Sequence, residues 1–270
     1  MTALAEILNR IAASAVPAEE TIHALAASDP HFESWIPLVS SRLVPGEDVQ
    51  ARQAAGAFYT PPQLVRFIVQ QTLEPWMDLN KGLLPEILDP SCGTGRFLIE
   101  AGERLVATLP GDPETGWQKI GPMLHGYDTD SLAIAWLRGR IAALAGGDAN
   151  AAVNIRLTDA LDNDALPSAS VDIVLGNPPF GTPLKSQSAE STRKRAACHT
   201  DVPLGSYADQ ASIFLLLSAH ALRKNGRLGM VQPLSFLAAR DTQTIRSAIL
   251  ESTQLDYVWS TDAFIFDAQV

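Results

Sequence analysis

The sequence predicts an α/β protein in which helices cover both faces of a parallel β-sheet, preceded by a small helical region. From about residue 55, short apolar runs typical of buried strands alternate with longer segments of helical periodicity. Glycine-rich or polar turns separate the two kinds of segment. Hydrophobic residues form 46% of the 270 residues, which is enough to bury a core, so a wholly disordered chain is excluded.

The first 54 residues predict a small helical region of their own. Leu4, Ile7, Leu8 and Ile11 follow the spacing of one helix face. The N-terminus lacks the basic and apolar segments of a signal peptide, and no apolar run reaches the ~18 residues of a membrane span. We therefore expect a cytoplasmic protein with no membrane partner.

The remaining elements follow from local signals. Thr60 suits the N-cap of a helix, with Pro61 at its first position and Leu64, Phe67 and Ile68 on its apolar face. The other predicted helices cover 97–109, 132–144, 209–222 and 242–250. Lys224-Asn225-Gly226 is predicted to close the helix over 209–222. The predicted strands cover 86–89, 123–127, 153–157, 171–175, 228–231 and 255–259.

Polar residues stand at or just past the ends of four predicted strands. These are Asp89, Asp128, Asp159 and Asn177. Parallel sheets bind ligands at the carboxyl ends of their strands. The sequence therefore places the candidate site at this edge of the sheet.

The turn after the first strand carries a Gly-x-Gly pattern at Gly93 and Gly95. Glycines let a backbone approach a ligand, and the helix that follows offers free N–H groups. A third glycine is lacking, because Leu98 occupies that position, and no phosphate-binding lysine follows. The pattern thus disfavours a dinucleotide or a triphosphate. Asp128, at the end of the next strand, is placed to accept hydrogen bonds from a ribose, whereas Asp130 is predicted to cap the next helix.

A second turn, Asn177-Pro178-Pro179-Phe180, follows an apolar strand. The two prolines stiffen the chain and hold the preceding backbone extended. The Asn177 side-chain carbonyl and a backbone carbonyl can then accept from one amino group, beside the aromatic surface of Phe180. This combination predicts a site for a planar ligand that carries an exocyclic amine.

Residues 55–270 resemble the S-adenosylmethionine-dependent DNA adenine-N6 methyltransferases of restriction–modification and phage-defence systems. Five motifs follow the family's order: Phe58-Tyr59-Thr60-Pro61, the turn 89–98, Gly126-Tyr127-Asp128, Thr158-Asp159-Ala160-Leu161 and Asn177-Pro178-Pro179-Phe180. The resemblance implies a Rossmann-like methyltransferase sheet. It also implies that residues 55–270 form the catalytic domain and that residues 1–54 are a separate helical region.

The resemblance further implies a role for each motif residue. Tyr59, Thr60 and Pro61 would line the methionine end of S-adenosylmethionine. The turn with Asp89, Pro90, Cys92, Gly93 and Gly95 would form the floor under the cofactor, with Cys92 as part of the turn rather than a nucleophile. Asp128 would bind the ribose, and Asp159 the adenine amino group of the cofactor.

The base site implied by the resemblance lies in the second turn. Asn177 and the Pro178 carbonyl would accept hydrogens from the N6 amine of the target adenine, with Pro179 stiffening the turn and Phe180 stacking on the flipped base. Two acceptors aim the N6 lone pair at the sulfonium methyl, so positioning supplies most of the catalysis.

A basic run with Lys185, Arg193, Lys194 and Arg195 follows the second turn. It is either a solvated flexible loop or a loop that contacts DNA phosphates, and both hold if it orders on DNA. Phe266 is either a core residue or, as in the family, an aromatic side chain against the flipped base. Trp117, Trp136 and Trp259 are expected in the core.

The net charge of −10 argues against coating DNA by charge alone. The family's sheet has a seventh strand beside the sixth, and the chain stops where that strand would begin. We therefore expect the catalytic domain to be incomplete, with double-stranded DNA recognised through a specificity subunit or a recognition domain outside this sequence. Two cysteines give no disulfide framework, and no Cys/His spacing predicts a metal site.

Two other functions stay open. A protein-glutamine N5-methyltransferase also carries an Asn-Pro-Pro-aromatic turn and a helical N-terminal region, and needs no basic surface. Against it stand Tyr59-Thr60-Pro61 and the basic run. The third is a cofactor-binding subunit or fragment that is inactive without a partner.

Overall fold

The computed structural model describes residues 60–162, 166–180, 187–204 and 208–260. The predicted helical region 1–54 lies outside these ranges, as do Tyr59, Lys185 and Phe266. Their predicted roles therefore stay predictions.

Eight α-helices and five strands alternate through the described ranges. The helices are α1 Pro62–Leu79, α2 Arg96–Val106, α3 Pro113–Ile120, α4 Ser131–Leu144, α5 Gln187–Thr200, α6 Gln210–Ala221, α7 Ser235–Ala238 and α8 Gln243–Ser252. The strands are β1 Ile87–Asp89, β2 Leu124–Asp128, β3 Ile155–Leu157, β4 Val171–Gly176 and β5 Leu222–Met230. Short 3₁₀ turns cover Gly121–Met123, Ala149–Ala152 and Arg240–Thr242.

The strands form one sheet in the order β3-β2-β1-β4-β5, and every neighbouring pair is parallel. In register, Asp89 pairs with Gly126, and Ile87 pairs with both Leu124 and Ile173. All carboxyl ends therefore meet at one edge, where sequence analysis placed the candidate site.

Apolar side chains of β1 alternate between two cores. Ile87 joins the larger core, formed with α1, α2, α3 and α4, whereas Leu88 joins the smaller one, formed with α5 and α6. Trp117 and Trp136 are buried, as predicted. Helices thus cover both faces of the sheet, and the predicted α/β class is confirmed.

Helix α1 differs from its prediction in its start and its buried face. It begins at Pro62, with Pro61 as N-cap and no side-chain cap, so the predicted N-cap role of Thr60 was wrong. The buried face carries Val65, Val69, Thr72, Leu73 and Trp76, while Phe67 is 40% exposed. Two apolar stripes lie side by side on this helix, and only contact with the sheet selects between them.

Strand β5 begins earlier than predicted. Leu222 already pairs with Val171, so the predicted cap 224–226 lies inside the strand rather than closing α6. The register shifts before Arg227 pairs with Ile173, and Asn225 takes the left-handed conformation (φ 65°) in the bulge between. The residues 224–226 thus form a turn-like bulge, as their sequence indicates, but β5 pairs with β4 both before and after it.

The predicted strand over 255–259 is absent, because residues 254–260 have no regular secondary structure. Leu255, Tyr257 and Trp259 are each more than half exposed. The predicted core position of Trp259 was therefore wrong, and its ring lies 6.1 Å from that of Phe67. Within the described ranges β5 is the edge strand of the sheet, and this apolar run contacts it through the ion pair of Asp256 with Arg227 instead of pairing with it as a strand.

Candidate active site

Backbone hydrogen bonds connect the loops at the carboxyl edge of the sheet. Cys92 N donates to Tyr127 O at 2.9 Å, Thr158 N to Asp128 O at 2.9 Å, and Val231 N to Gly176 O at 3.0 Å. These bonds anchor the loops after β1 and β3 on the end of β2, and the loop after β5 on the end of β4. The structure places the four polar residues at this edge, at or just past strand ends as predicted: Asp89 ends β1, Asp128 ends β2, Asp159 follows β3 and Asn177 follows β4.

The glycine turn uses its two glycines differently. Gly93 (φ 51°) and Gly95 (φ 82°) both lie in the left-handed region that favours glycine. A side chain at Gly95 would collide with Leu137, whereas one at Gly93 would meet nothing within 4 Å. The turn is thus packed against α4 on one side and open on the other. The N-terminus of α2 follows at Arg96.

Asp128 joins the glycine turn to the next loop. Its Oδ2 accepts from Gly93 N at 2.8 Å, and its Oδ1 accepts from Asp130 N at 2.9 Å. Burial raises the pKa of this carboxyl, an effect that the backbone N–H groups oppose. Asp130 Oδ1 accepts from Ala133 N at 3.2 Å and so caps α4, as predicted.

Asp89 is buried beneath the turn, with 1% of its surface exposed. Burial raises its pKa to about 8; the nearby charge of Asp128 adds to the rise, and a hydrogen bond from Ser91 N opposes it. A Cβ at Gly176 would lie 2.9 Å from Asp89 Oδ1. A glycine at this position therefore lets β4 pass close to the carboxyl group.

The Cys92 side chain is buried in the same turn. Burial raises the pKa of its thiol well above the ordinary value, and the charges of Asp89 and Asp128 act in the same direction. The thiolate form is the nucleophilic one. This environment supports the interpretation of Cys92 as part of the turn.

The second turn connects two distant parts of the chain. Asn177 Nδ2 donates to Thr60 Oγ1 at 2.9 Å, although 117 residues separate the two. Thr60 is 6% exposed, Pro178 is buried, and Pro179 and Phe180 are half-buried. The Thr60 hydroxyl thus bonds to the second turn instead of capping α1.

The loop after β3 has its own internal hydrogen bond. Asp159 Oδ1 accepts from Leu161 N at 2.9 Å, which stabilises the turn. Its carboxylate keeps further acceptor capacity, because each oxygen has two lone pairs.

Three of the four residues of the basic run lie on helix α5 rather than in a loop. Arg193, Lys194 and Arg195 all fall within Gln187–Thr200. Lys194 is exposed and lies 2.7 Å from Glu190, one turn earlier, while Arg193 is half-buried. Ion pairs at this spacing and the alanines of the segment favour a helix. The predicted loop followed from the charge of the segment and did not take this helical pattern into account.

Two features of the site were not predicted from the sequence. One is Gly176, which carries no turn signal because it belongs to the strand. The other is the contact of Thr60 with Asn177, for which no local pattern exists. Both come from packing between elements far apart in the chain.

The described ranges show neither a metal cluster nor a membrane-spanning helix. They contain no group of three His, Cys, Asp or Glu side chains that could hold a metal ion. No helix there is both long and apolar enough to cross a membrane.

The fold and the site together define a class: an open parallel α/β sheet whose glycine turn, strand-end aspartates and Asn-Pro-Pro-Phe turn meet at one edge. The model of the N-6 DNA Methylase family matches residues 48–269, and the chain belongs to this family.

Relatives of the chain are longer than it is. The Type II methyltransferase M.VspI of Vibrio sp. (strain 343) is 28% identical over 195 residues, which cover 72% of this chain and 41% of that protein. The Type I restriction enzyme MjaIX methylase subunit of Methanocaldococcus jannaschii is 27% identical over 202 residues, which cover 73% of this chain and 32% of that protein. In the cryoEM structure of the DrdV–DNA complex, one chain has the same fold, with a TM-score of 0.62 and 23% sequence identity. The match covers 87% of this chain and 26% of that one. The chain thus spans less than half the length of these relatives.

Proposed function

We propose that the protein transfers a methyl group from S-adenosylmethionine to the N6 amine of adenine in DNA. The observation that carries this proposal is the position of Asn177. It follows β4 at the carboxyl edge, its amide is bonded to Thr60, and the glycine turn and Asp128 lie at the same edge. Membership of the family and the names of its type I and type II relatives support the same reaction.

The residues present fit S-adenosylmethionine. The open space at Gly93 leaves room for a ligand against the backbone, and the Asp128 carboxylate has lone pairs left for ribose hydroxyls. Asp89, Pro90, Cys92 and Gly95 build the floor. When bound, the cofactor supplies a sulfonium methyl. Tyr59, Thr60 and Pro61 would lie at its methionine end, and Asp159 would accept from its adenine.

The second turn would hold the target base. Asn177 Oδ1 and the Pro178 carbonyl accept the two N6 hydrogens, and Phe180 stacks on the ring. Holding the amine in this way draws its nitrogen toward sp³ geometry and aims the lone pair at the methyl group. The base must leave the duplex to enter, and stacking on Phe180 offsets part of that cost.

DNA is the proposed partner. Lys185, Arg193, Lys194 and Arg195 would contact phosphates, and Phe266 would approach the base. The sequence to be methylated would be read by a further domain or by a specificity subunit, since a type I relative is itself named a methylase subunit. Such an enzyme acts where cellular DNA lies, in the cytoplasm.

A methyl-transfer assay with the full-length protein and labelled S-adenosylmethionine tests the proposal. Duplex DNA and a glutamine-bearing release factor are offered separately. We expect label on adenine N6 in DNA and none on the protein. Label on the release factor would favour the glutamine methyltransferase, and label on neither substrate, with cofactor bound, would favour a subunit inactive without its partner.

Replacing the proposed acceptor tests the mechanism. Asn177→Ala should abolish transfer and leave cofactor affinity within about twofold, because the side chain acts on the base. The exposed Asn150→Ala is the matched control and should transfer at the wild-type rate. Retained transfer in Asn177→Ala would contradict the mechanism.

A further inference from the structure

We propose that Thr60 is a positioning residue for the reaction: its hydroxyl holds the Asn177 amide so that Oδ1 is presented to the target amine. This inference rests on the proposed function, because it concerns the amide that would bind N6. Its basis is the 2.9 Å hydrogen bond from Asn177 Nδ2 to Thr60 Oγ1, between a residue just before α1 and a residue just after β4.

The two ends of an asparagine amide are not equivalent. Nδ2 can only donate and Oδ1 can only accept, and a substrate amine needs an acceptor. With Nδ2 engaged by Thr60, the Oδ1 end of Asn177 is directed to the other side of the amide. After a rotation of 180° about the last side-chain bond, Oδ1 would accept from the Thr60 hydroxyl and Nδ2 would present a donor to N6. The observed orientation, with Nδ2 donating to Thr60, is therefore the one that keeps both proposed acceptors.

Burial increases the energetic cost of losing the hydrogen bond between Thr60 and Asn177. Thr60 is 6% exposed, and Asn177 is half-buried. An amide N–H group in such surroundings that loses its acceptor is left partly desolvated, so the amide turns to find another partner. The Pro178-Pro179 backbone stiffens the turn, which leaves the side-chain torsions of Asn177 as its remaining freedom. Thr60 restrains that freedom.

The same contact connects the two substrate sites. A threonine hydroxyl has one hydrogen and two lone pairs, so accepting from Asn177 leaves its hydrogen for a further partner. The proposed cofactor site places Thr60 at the methionine end. One side chain would then fix the position of the methyl acceptor relative to the methyl donor, which is the main requirement of a reaction catalysed by positioning.

Two substitutions of Thr60 separate the hydroxyl from the rest of the side chain. Thr60→Val keeps the shape and removes the acceptor, whereas Thr60→Ser keeps the acceptor. Thr72→Val is the matched control: Thr72 is also buried, and its hydroxyl donates to Ile68 O within α1 at 2.8 Å. All three variants are compared with the wild-type full-length protein.

The first readout is the side-chain amide resonance of Asn177 in protein labelled with ¹⁵N-asparagine, assigned by its loss in Asn177→Asp. We expect Thr60→Val to shift this resonance and to speed its hydrogen exchange, and we expect Thr60→Ser and Thr72→Val to leave it unchanged. An identical resonance in wild type and Thr60→Val would overturn the inference, whatever the activity.

The second readout is the single-turnover rate at saturating S-adenosylmethionine, together with cofactor affinity. We expect Thr60→Val to lower the rate by roughly tenfold or more, the effect of leaving a partly buried amide without its acceptor, with a smaller loss of cofactor affinity and with rescue of the rate by Thr60→Ser. A wild-type rate in Thr60→Val, or a loss of affinity as large as the loss of rate, would overturn the inference. Absence of DNA methylation by the wild type would instead count against the proposed function, while the resonance would still report the contact.

Discussion

Gly93 and Gly95 are two residues apart and share a left-handed backbone, but their surroundings differ. Gly95 faces the buried side chain of Leu137, and Gly93 faces open space. An L-residue in this conformation costs about 1 kcal/mol at either position. Only at Gly95 does overpacking of the core add to that cost, by about 1–3 kcal/mol.

Gly93→Ala and Gly95→Ala should therefore have separable effects. We expect Gly95→Ala to lower the free energy of unfolding the more strongly of the two. Gly93→Ala should remain folded but lose cofactor affinity by roughly tenfold, because its Cβ enters the space proposed for the cofactor. Urea denaturation and calorimetric titration with S-adenosylmethionine measure the two effects. Equal affinity in wild type and Gly93→Ala would place the cofactor elsewhere.

Asp89 is the buried acid of the same turn, and its pKa predicts how stability depends on pH. Its pKa is about 8 in the folded protein, against an ordinary value of 3.8. Between these values the folded protein retains a proton that the unfolded chain has released. The contribution of Asp89 to stability is thus complete below about pH 4 and is lost as the pH rises toward 8.

Asp89→Asn removes this titration and keeps an oxygen that can accept from Ser91 N. The free energy of unfolding of the variant, relative to wild type, should increase steadily between pH 5 and pH 8. Urea denaturation of both proteins at several pH values measures the difference, in which titrations common to both cancel. A difference that does not change with pH would contradict the raised pKa.

At the scale of the element, helix α5 carries the charged segment that follows the second turn. Its exposed ion pair between Glu190 and Lys194 contributes little to stability, so the charge of Lys194 is not required for the fold. The helix follows the second turn, after the short segment 181–186. This position favours a role in contacting phosphates beside the target base.

Removing two cations of α5 should weaken DNA binding. We expect the double variant Arg193→Gln/Lys194→Gln to bind duplexes of any sequence more weakly. The slope of its log affinity against log salt concentration should be smaller in magnitude by about two. Lys119→Gln is the matched control, because Lys119 is exposed on α3, which leads into the opposite end of the sheet. Fluorescence anisotropy at several salt concentrations provides the measurement, and an unchanged slope would exclude α5 from the DNA interface.

Helix α1 and strand β5 show where element prediction from sequence reaches its limit. The periodicity of α1 predicts a helix but offers two adjacent apolar stripes, one with Leu64 and Phe67 and the other with Val65 and Val69. In β5 the turn at Asn225 was visible in the sequence, but pairing of Leu222 with Val171 was not. A helix face and a strand boundary are both chosen by the neighbouring element.

At the scale of the whole molecule, the negative net charge limits how the protein can bind DNA. A net charge of −10 disfavours DNA binding through overall attraction. The proposed reaction therefore needs local cations such as Arg193 and Lys194, together with recognition by a further domain or subunit. The two cores on either side of the sheet are built from apolar side chains, so they depend neither on these cations nor on a further domain or subunit.

The sequence by itself determined the alternation of strands and helices, the glycine turn, and the presence of Asp89, Asp128, Asp159 and Asn177 at strand ends. Each of these depends on residues close together in the chain, so local patterns are sufficient. Only the tertiary structure decided the buried face of α1, the irregular conformation of 254–260 and the bond between Thr60 and Asn177. These depend on contacts between distant segments, whose energies do not exist until the sheet has formed and brought the segments together.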